Sequence, residues 1–382
     1  MMLMKAIWTE ATRFNRVTGK SWTIGFLLSL ILIALSTSFS LDPLMACLVE
    51  FVAIIFFRKV QVLFWDDAIK SRFGDIAMVI LESIAQNSTE FIICYLGVIQ
   101  SNTTWIGNFV QGCLWLRLFF LLGCCLTQAK VNSLNRLFLE TEAKSAGILA
   151  SAVFCLIAHN FLRCETSSAG SIQGPWLARL DFSPMGATTV VLILLSGYHV
   201  YLQQQPVLIC PETRSTGCLP QFYLWFSLPL VGVSTALIAW YLSHMFHSLQ
   251  TLISDGKFSE LFVGQFILPL VCNTINHLRI ATYTCRHRPH TAFRYVQYWS
   301  VTFLVFVLPF VSLVGYAWGS NVSTLSTDLV TLKWALLPIA MLAWINTGGS
   351  FHWTMGAGLI GCYARFIITA WNGVEIPLAH AP

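Results

Sequence analysis

Gln86-Asn87-Ser88-Thr89-Glu90 and Cys272-Asn273-Thr274-Ile275-Asn276-His277 decide how this chain is read. Each is a short polar insertion inside an apolar stretch long enough to cross a bilayer, and the two stand at corresponding places in the two halves of the sequence. Amide and ionisable side chains at bilayer depth are costly, so a matched pair of such insertions points to a functional site. The first insertion carries a carboxylate, Glu90. The second has amides, a hydroxyl and an imidazole but no acid.

The composition around them sets the class. Hydrophobic residues make up 56% of the 382 and charged residues only 10%, against about 25% charged in soluble domains. An all-α integral membrane protein is expected. Runs able to supply the roughly 20 residues of a spanning helix fall near 22–40, 43–65, 75–99, 105–127, 146–164, 184–203, 220–246, 260–283, 297–318, 329–346 and 351–371. That makes about 11 transmembrane helices. The first follows a basic head with no small-residue cleavage site, so it reads as a retained span and not as a signal peptide.

Lys5, Arg13, Arg16, Lys20, Lys130, Arg136 and Arg286 fall on one side of this topology, while Arg163, Arg179 and Lys257 fall on the other. The excess of basic loops places the amino terminus in the cytosol. The net charge of +5 is thus a topology signal, and no nucleic-acid partner is expected. The twelve cysteines lie mostly within apolar runs and show no Cys-x-x-Cys spacing, so neither a disulfide framework nor a metal centre is expected.

With the head and first helix (1–42) set aside, ten spans remain, in two sets of five at 43–203 and 220–371, joined by a connector at 204–219 and followed by a tail at 372–382. An odd number of helices per set makes the two copies enter the membrane in opposite senses. This inverted-repeat layout is common among secondary transporters and puts their sites near mid-membrane.

The residues of the two insertions resemble the signature helices of calcium/proton exchangers of the calcium:cation antiporter superfamily, Gly-Asn-Ala-x-Glu and Gly-Asn-Ala-Ala-Glu-His. Arg72-Phe73-Gly74 through Asn87 to Glu90 lie along the first. Phe262-Val263-Gly264, Leu268-Pro269, Asn273, His277 and Pro309 follow the second half. The resemblance implies the exchanger fold, but the second signature glutamate is Asn276 here, and the flanking glycines are Gln86 and Cys272. The family's Gly-Ser-x-x-Ser-Asn becomes Gly112-Cys113-Leu114-Trp115-Leu116-Arg117, and its Gly-Ser-Ser-x-Gln becomes Tyr298-Trp299-Ser300-Val301-Thr302. Calcium takes about six to eight oxygen ligands. A unit charge about 4 Å from Arg117 is repelled by roughly 4 kcal/mol at an effective dielectric of 20, and a divalent ion by about twice that.

Trp115, Tyr298 and Trp299, standing beside one surviving acid, supply faces that stabilise cations. This combination is similar to the membrane-bound terpene cyclases of fungal meroterpenoid pathways of the ascofuranone type. That resemblance implies an enzyme without a cofactor that cyclises a lipophilic prenylated epoxide in the endoplasmic-reticulum membrane. Glu90 is then the general acid, with Glu82 as the partner of Arg117 and His277 and Asn276 as further catalytic groups. Asn87, Asn273, Arg117, Trp115, Tyr298, Trp299 and Thr302 would line the substrate site. Asp66-Asp67 lacks the acid spacing of metal-dependent terpene synthases. The alternatives are a cation/proton antiporter of altered selectivity and a non-transporting scaffold or sensor.

Overall fold

The protein is seen here in a computed structural model that describes residues 42–70, 75–100, 102–128, 140–168, 184–203, 224–285, 289–317, 329–346 and 353–372. The predicted first helix at 22–40, the connector 204–219 and most of the tail lie outside the described residues. The ten other predicted spans all fall on helices. These are α1 (Pro43–Lys70), α2 (Asp75–Gln86), α3 (Ser88–Ile99), α4 (Thr103–Trp115, Leu116–Leu121 and Leu122–Gln128), α5 (Glu140–Ser168) and α6 (Pro184–Gln203). The second half continues with α7 (Leu224–Ser254), α8 (Glu260–Phe262, Val263–Ile267 and Leu268–Cys285), α9 (Pro289–Thr302, Phe303–Val307 and Leu308–Ala317), α10 (Leu329–Asn346) and α11 (Trp353–Trp371).

Polarity runs inside out relative to a soluble protein. Glu90, Arg117, Asn87 and Thr302 are fully buried, whereas Phe154, Leu194 and Ile368 are more than half exposed. An apolar exterior over a polar interior suits a hydrocarbon solvent. Among the described residues, Thr104–Gln128, Ser227–Ser254, Glu260–Thr284 and Thr291–Gly315 are long and apolar enough to cross a membrane. The chain is an all-α integral membrane protein.

Two compact units divide it. The first takes residues up to Thr89 together with Gln203–Lys257, and the second takes Glu90–Leu202 with Phe258–Pro382. In the first, α1 lies along α7, with α2 against α1. In the second, α4 is the hub. It is packed on by the start of α8, by α9 and by α11, while α5 is covered by α10 and α9.

The helix predicted at 75–99 is interrupted at Asn87, and the side chains explain why. The amide Nδ2 of Asn87 donates to the Ser83 carbonyl at 2.9 Å, the same carbonyl its backbone N–H uses at 3.2 Å. Ser88 Oγ donates to the Ala85 carbonyl. The Gln86 carbonyl accepts Nη2 of Arg58 at 2.6 Å. Side chains that compete for backbone groups in this way end helices. The break leaves Glu90 in the first turn of α3, where the helix dipole favours negative charge.

α8 and α9 each contain a widened π-turn, at Val263–Ile267 and Phe303–Val307. A proline follows each by two residues, Pro269 and Pro309. Neither can donate to the carbonyl four residues back, at Gln265 and Val305, and each ring crowds that carbonyl, so the turn opens to five-residue spacing. In α4 the π-turn Leu116–Leu121 has no proline; there the Leu122 N–H donates to the Arg117 carbonyl. Helices α4 and α8 cross at Gly112, where a Cβ would run into the Gln265 backbone, and at Gly264, where one would meet the Asn108 Cβ at 2.7 Å. Glycine permits this approach.

Candidate functional site

The second unit contains a buried charge pair, contributed by α3 and α4 and completed by α8 and α9. Nη2 of Arg117 donates to Oε1 of Glu90 at 2.5 Å, with both side chains 0% exposed. The same guanidinium donates through Nη1 to the Trp299 carbonyl at 3.0 Å and through Nη2 to Asn273 Oδ1 at 3.4 Å. Its Cζ lies 3.9 Å from the centre of the Trp299 ring and 4.4 Å from that of Phe303. Cation–π contacts in a desolvated site contribute about 2 kcal/mol. Thr302 Oγ1 donates to the Trp299 carbonyl as well, at 3.0 Å. Asn273 is fixed in turn, its amide donating to the Pro269 carbonyl at 3.2 Å.

The position of the missing acid is occupied differently. Asn276 Oδ1 accepts from the Tyr295 hydroxyl at 3.0 Å, and that hydroxyl accepts from Nη1 of Arg279 at 3.0 Å. His277 lies against the Trp299 ring at 5.8 Å. Five of the sequence candidates, Glu90, Arg117, Asn273, Trp299 and Thr302, therefore share one cluster, with Asn276 and His277 at its border. Others lie elsewhere. Trp115 stacks on Phe366 of α11 at 3.9 Å, and Tyr298 faces His199 of α6 at 5.4 Å. Glu82 accepts from the Gln86 amide at 3.1 Å, so the guanidinium partner is Glu90. Among the described residues, no three His, Cys, Asp or Glu side chains are grouped so as to hold a metal ion.

The first unit holds a second polar cluster that the sequence reading passes over. Arg58 is buried at mid-helix in α1 and donates to Gln61 Oε1 and Ser88 Oγ, both at 2.5 Å, as well as to the Gln86 carbonyl. Gln61 reaches α7 through Thr235 at 2.7 Å. The same rule that singles out Glu90, a charge inside a predicted span, applies equally to Arg58 and Glu50. Arg279 and Tyr295 carried no such signal, since Arg279 lies near the end of its predicted span and Tyr295 just before the start of the next.

No protein-family model matches the chain. A vacuolar calcium ion transporter of the yeast Schizosaccharomyces pombe is 22% identical over 287 residues, covering 74% of this chain and 68% of the transporter. A Ca2+/H+ antiporter of the cyanobacterium Synechocystis is 24% identical over 192 residues, covering 47% of this chain and about half (51%) of the antiporter. Among solved structures, native YfkE superposes with a TM-score of 0.66 at 15% identity, over 92% of this chain and 99% of that one. The H+/Ca2+ exchanger CAX gives 0.61 at 11%, over 92% and 93%.

These findings overturn the expectation of a terpene cyclase, and with it the enzyme and its prenylated epoxide substrate. The similar proteins are named as calcium transporters and exchangers. The geometry also explains why the aromatic replacements misled. Glu90, cast as a proton donor, is bound to Arg117, while Trp115 and Tyr298, cast as part of one aromatic wall, face other partners. The endoplasmic-reticulum expectation leaned on that pathway and carries nothing without it. The fold of this chain is that of the calcium/proton exchangers.

Proposed function

We propose that the chain is a cation/proton antiporter whose selectivity differs from that of a calcium exchanger, working through Glu90. The observation that carries this reading is the carboxylate of Glu90, retained at the break of the first signature helix and bound to a guanidinium in a fold shared with Ca2+/H+ exchangers. Arg117 takes the place of a bound cation. It brings one positive charge to one carboxylate and offers five donors in a fixed fork.

A transported cation must compete with that guanidinium. With Arg117 still beside the site, a divalent ion meets roughly 8 kcal/mol of repulsion at about 4 Å and an effective dielectric of 20, and a monovalent ion about half as much. The single carboxylate also does little to offset calcium's dehydration. Both effects favour a cation of low charge, or one that binds only after Arg117 swings away. The amino terminus lies in the cytosol in this reading, with a leading helix and two inverted five-helix repeats at 43–203 and 220–371. The distribution of Lys and Arg supports that topology.

The test is uptake of calcium, manganese, sodium and potassium into proteoliposomes driven by an imposed pH gradient. At least one cation should be taken up with proton release, and Glu90→Gln should abolish it. If no cation moves protons, the reading is wrong. The closed Glu90–Arg117 pair would then favour the alternative of a non-transporting scaffold.

A further inference from the structure

Glu50 lies seven residues into α1, about 10 Å along the axis at 1.5 Å per residue, and is 5% exposed. Its Oε2 is sealed from solvent and has no hydrogen-bond partner, and no basic side chain among the described residues pairs with it. From α7, Tyr241 packs on the same helix at Phe57, about two turns beyond Glu50. It is 1% exposed, its ring is stacked on Phe57 at 5.7 Å, and its hydroxyl also has no partner. Cys47, one turn before Glu50 on α1, is half-buried.

Among the described side chains, the other charges near this helix pair are engaged or turned away, Lys59 of α1 included. Arg58, two turns on, is held by Gln61, Ser88 and the Gln86 carbonyl. Glu82 of α2 holds Gln86. Asp42 caps the start of α1 at the Leu44 N–H. His244 and His247 of α7 are exposed.

An ionised carboxylate buried without a partner costs several kcal/mol even after relaxation. A group left this way in a membrane helix is neutralised by what it binds. A desolvated metal cation needs several oxygen ligands, and one carboxylate does not supply them. A proton needs a single lone pair.

We propose that Glu50 is a proton-binding site on the α1–α7 helix pair, and that it carries a proton counter-transported in the antiport cycle. This rests on the antiport reading above. It also supplies something that reading lacks: while Glu90 is engaged by a guanidinium or a cation, a separate acid is available for the proton. Glu50 takes up a proton as carboxylate to become the neutral acid, and returns it when the helix pair opens to water. No other bond changes.

The full-length protein in liposomes would be titrated while infrared difference spectra follow the carbonyl stretch of protonated carboxyl groups. Glu50→Gln should remove one such band, and Glu50→Asp, which keeps the carboxyl group, should shift it. In cation-driven proton release, Glu50→Gln should lower the rate about 10- to 100-fold, the span of ordinary coupling between two sites. Cation-for-cation exchange should continue in that variant, whereas Glu90→Gln should stop it. An unchanged spectrum in both Glu50→Gln and Glu50→Asp would overturn the site. Proton release at the wild-type rate in a folded Glu50→Gln protein would overturn its part in antiport. If the wild type moves no cation at all but the band still vanishes in Glu50→Gln, the antiport reading fails and the proton site stands.

Discussion

Glu90 and Arg117 form the contact on which the proposed chemistry turns, and its energetics are testable one side chain at a time. A guanidinium and a carboxylate at 2.5 Å with no exposure have each given up their hydration, so removing one strands the other. Arg117→Ala should lower stability by about 3–5 kcal/mol, read from thermal unfolding in detergent. The double change Glu90→Gln with Arg117→Gln should cost clearly less than the sum of the two single changes, since neither leaves a buried charge. In Arg117→Ala the vacated carboxylate becomes open to a free cation. A transported cation at about 100 times its dissociation constant should then restore about 2.7 kcal/mol, and no restoration by any cation would count against Glu90 as its ligand.

Helices position that pair through features that residue types alone convey unevenly. Pro269 is visible in the sequence, but its effect appears only in the structure: a π-turn at Val263–Ile267 that swings the Gln265 backbone toward Gly112 and sets the rotation of Asn273. Pro269→Ala should let α8 close to regular spacing, rotating Asn273 relative to Arg117. Transport should fall while thermal stability holds or rises, because interior proline costs a helix about 3 kcal/mol. Gly112→Ala should destabilise by about 1–3 kcal/mol through collision with the Gln265 backbone. Gly147→Ala, in α5 with nothing within 4 Å of a new Cβ, should be neutral or stabilising by up to about 1 kcal/mol. Equal effects at the two glycines would contradict the close α4–α8 crossing.

Across the whole molecule, spans were legible because length and apolarity suffice to mark them, as Pro184–Gln203 and Leu329–Asn346 demonstrate at both ends. The break at Asn87 was not, because it depends on which carbonyls Asn87, Ser88 and Arg58 engage, and an amide in an apolar run does not announce its partner. The site was half legible. Substitution at signature positions drew attention to Arg117, Asn276 and Trp299. It gave no means of telling that Trp299 lies under the guanidinium while its neighbour Tyr298 faces α6. Reading all the aromatics as one wall produced the cyclase expectation. Direction of a side chain around a helix, not its identity, separated the two functions.

The central claim is that this exchanger fold moves a cation against protons through Glu90, in competition with Arg117. Its most direct test is proton release from proteoliposomes on addition of a single cation, compared between the wild type, Glu90→Gln and Arg117→Lys. Cation-dependent release is expected in the wild type and none in Glu90→Gln. Arg117→Lys should shift the cation concentration needed, since a point charge replaces a fork. Release of the same size in Glu90→Gln as in the wild type would contradict it.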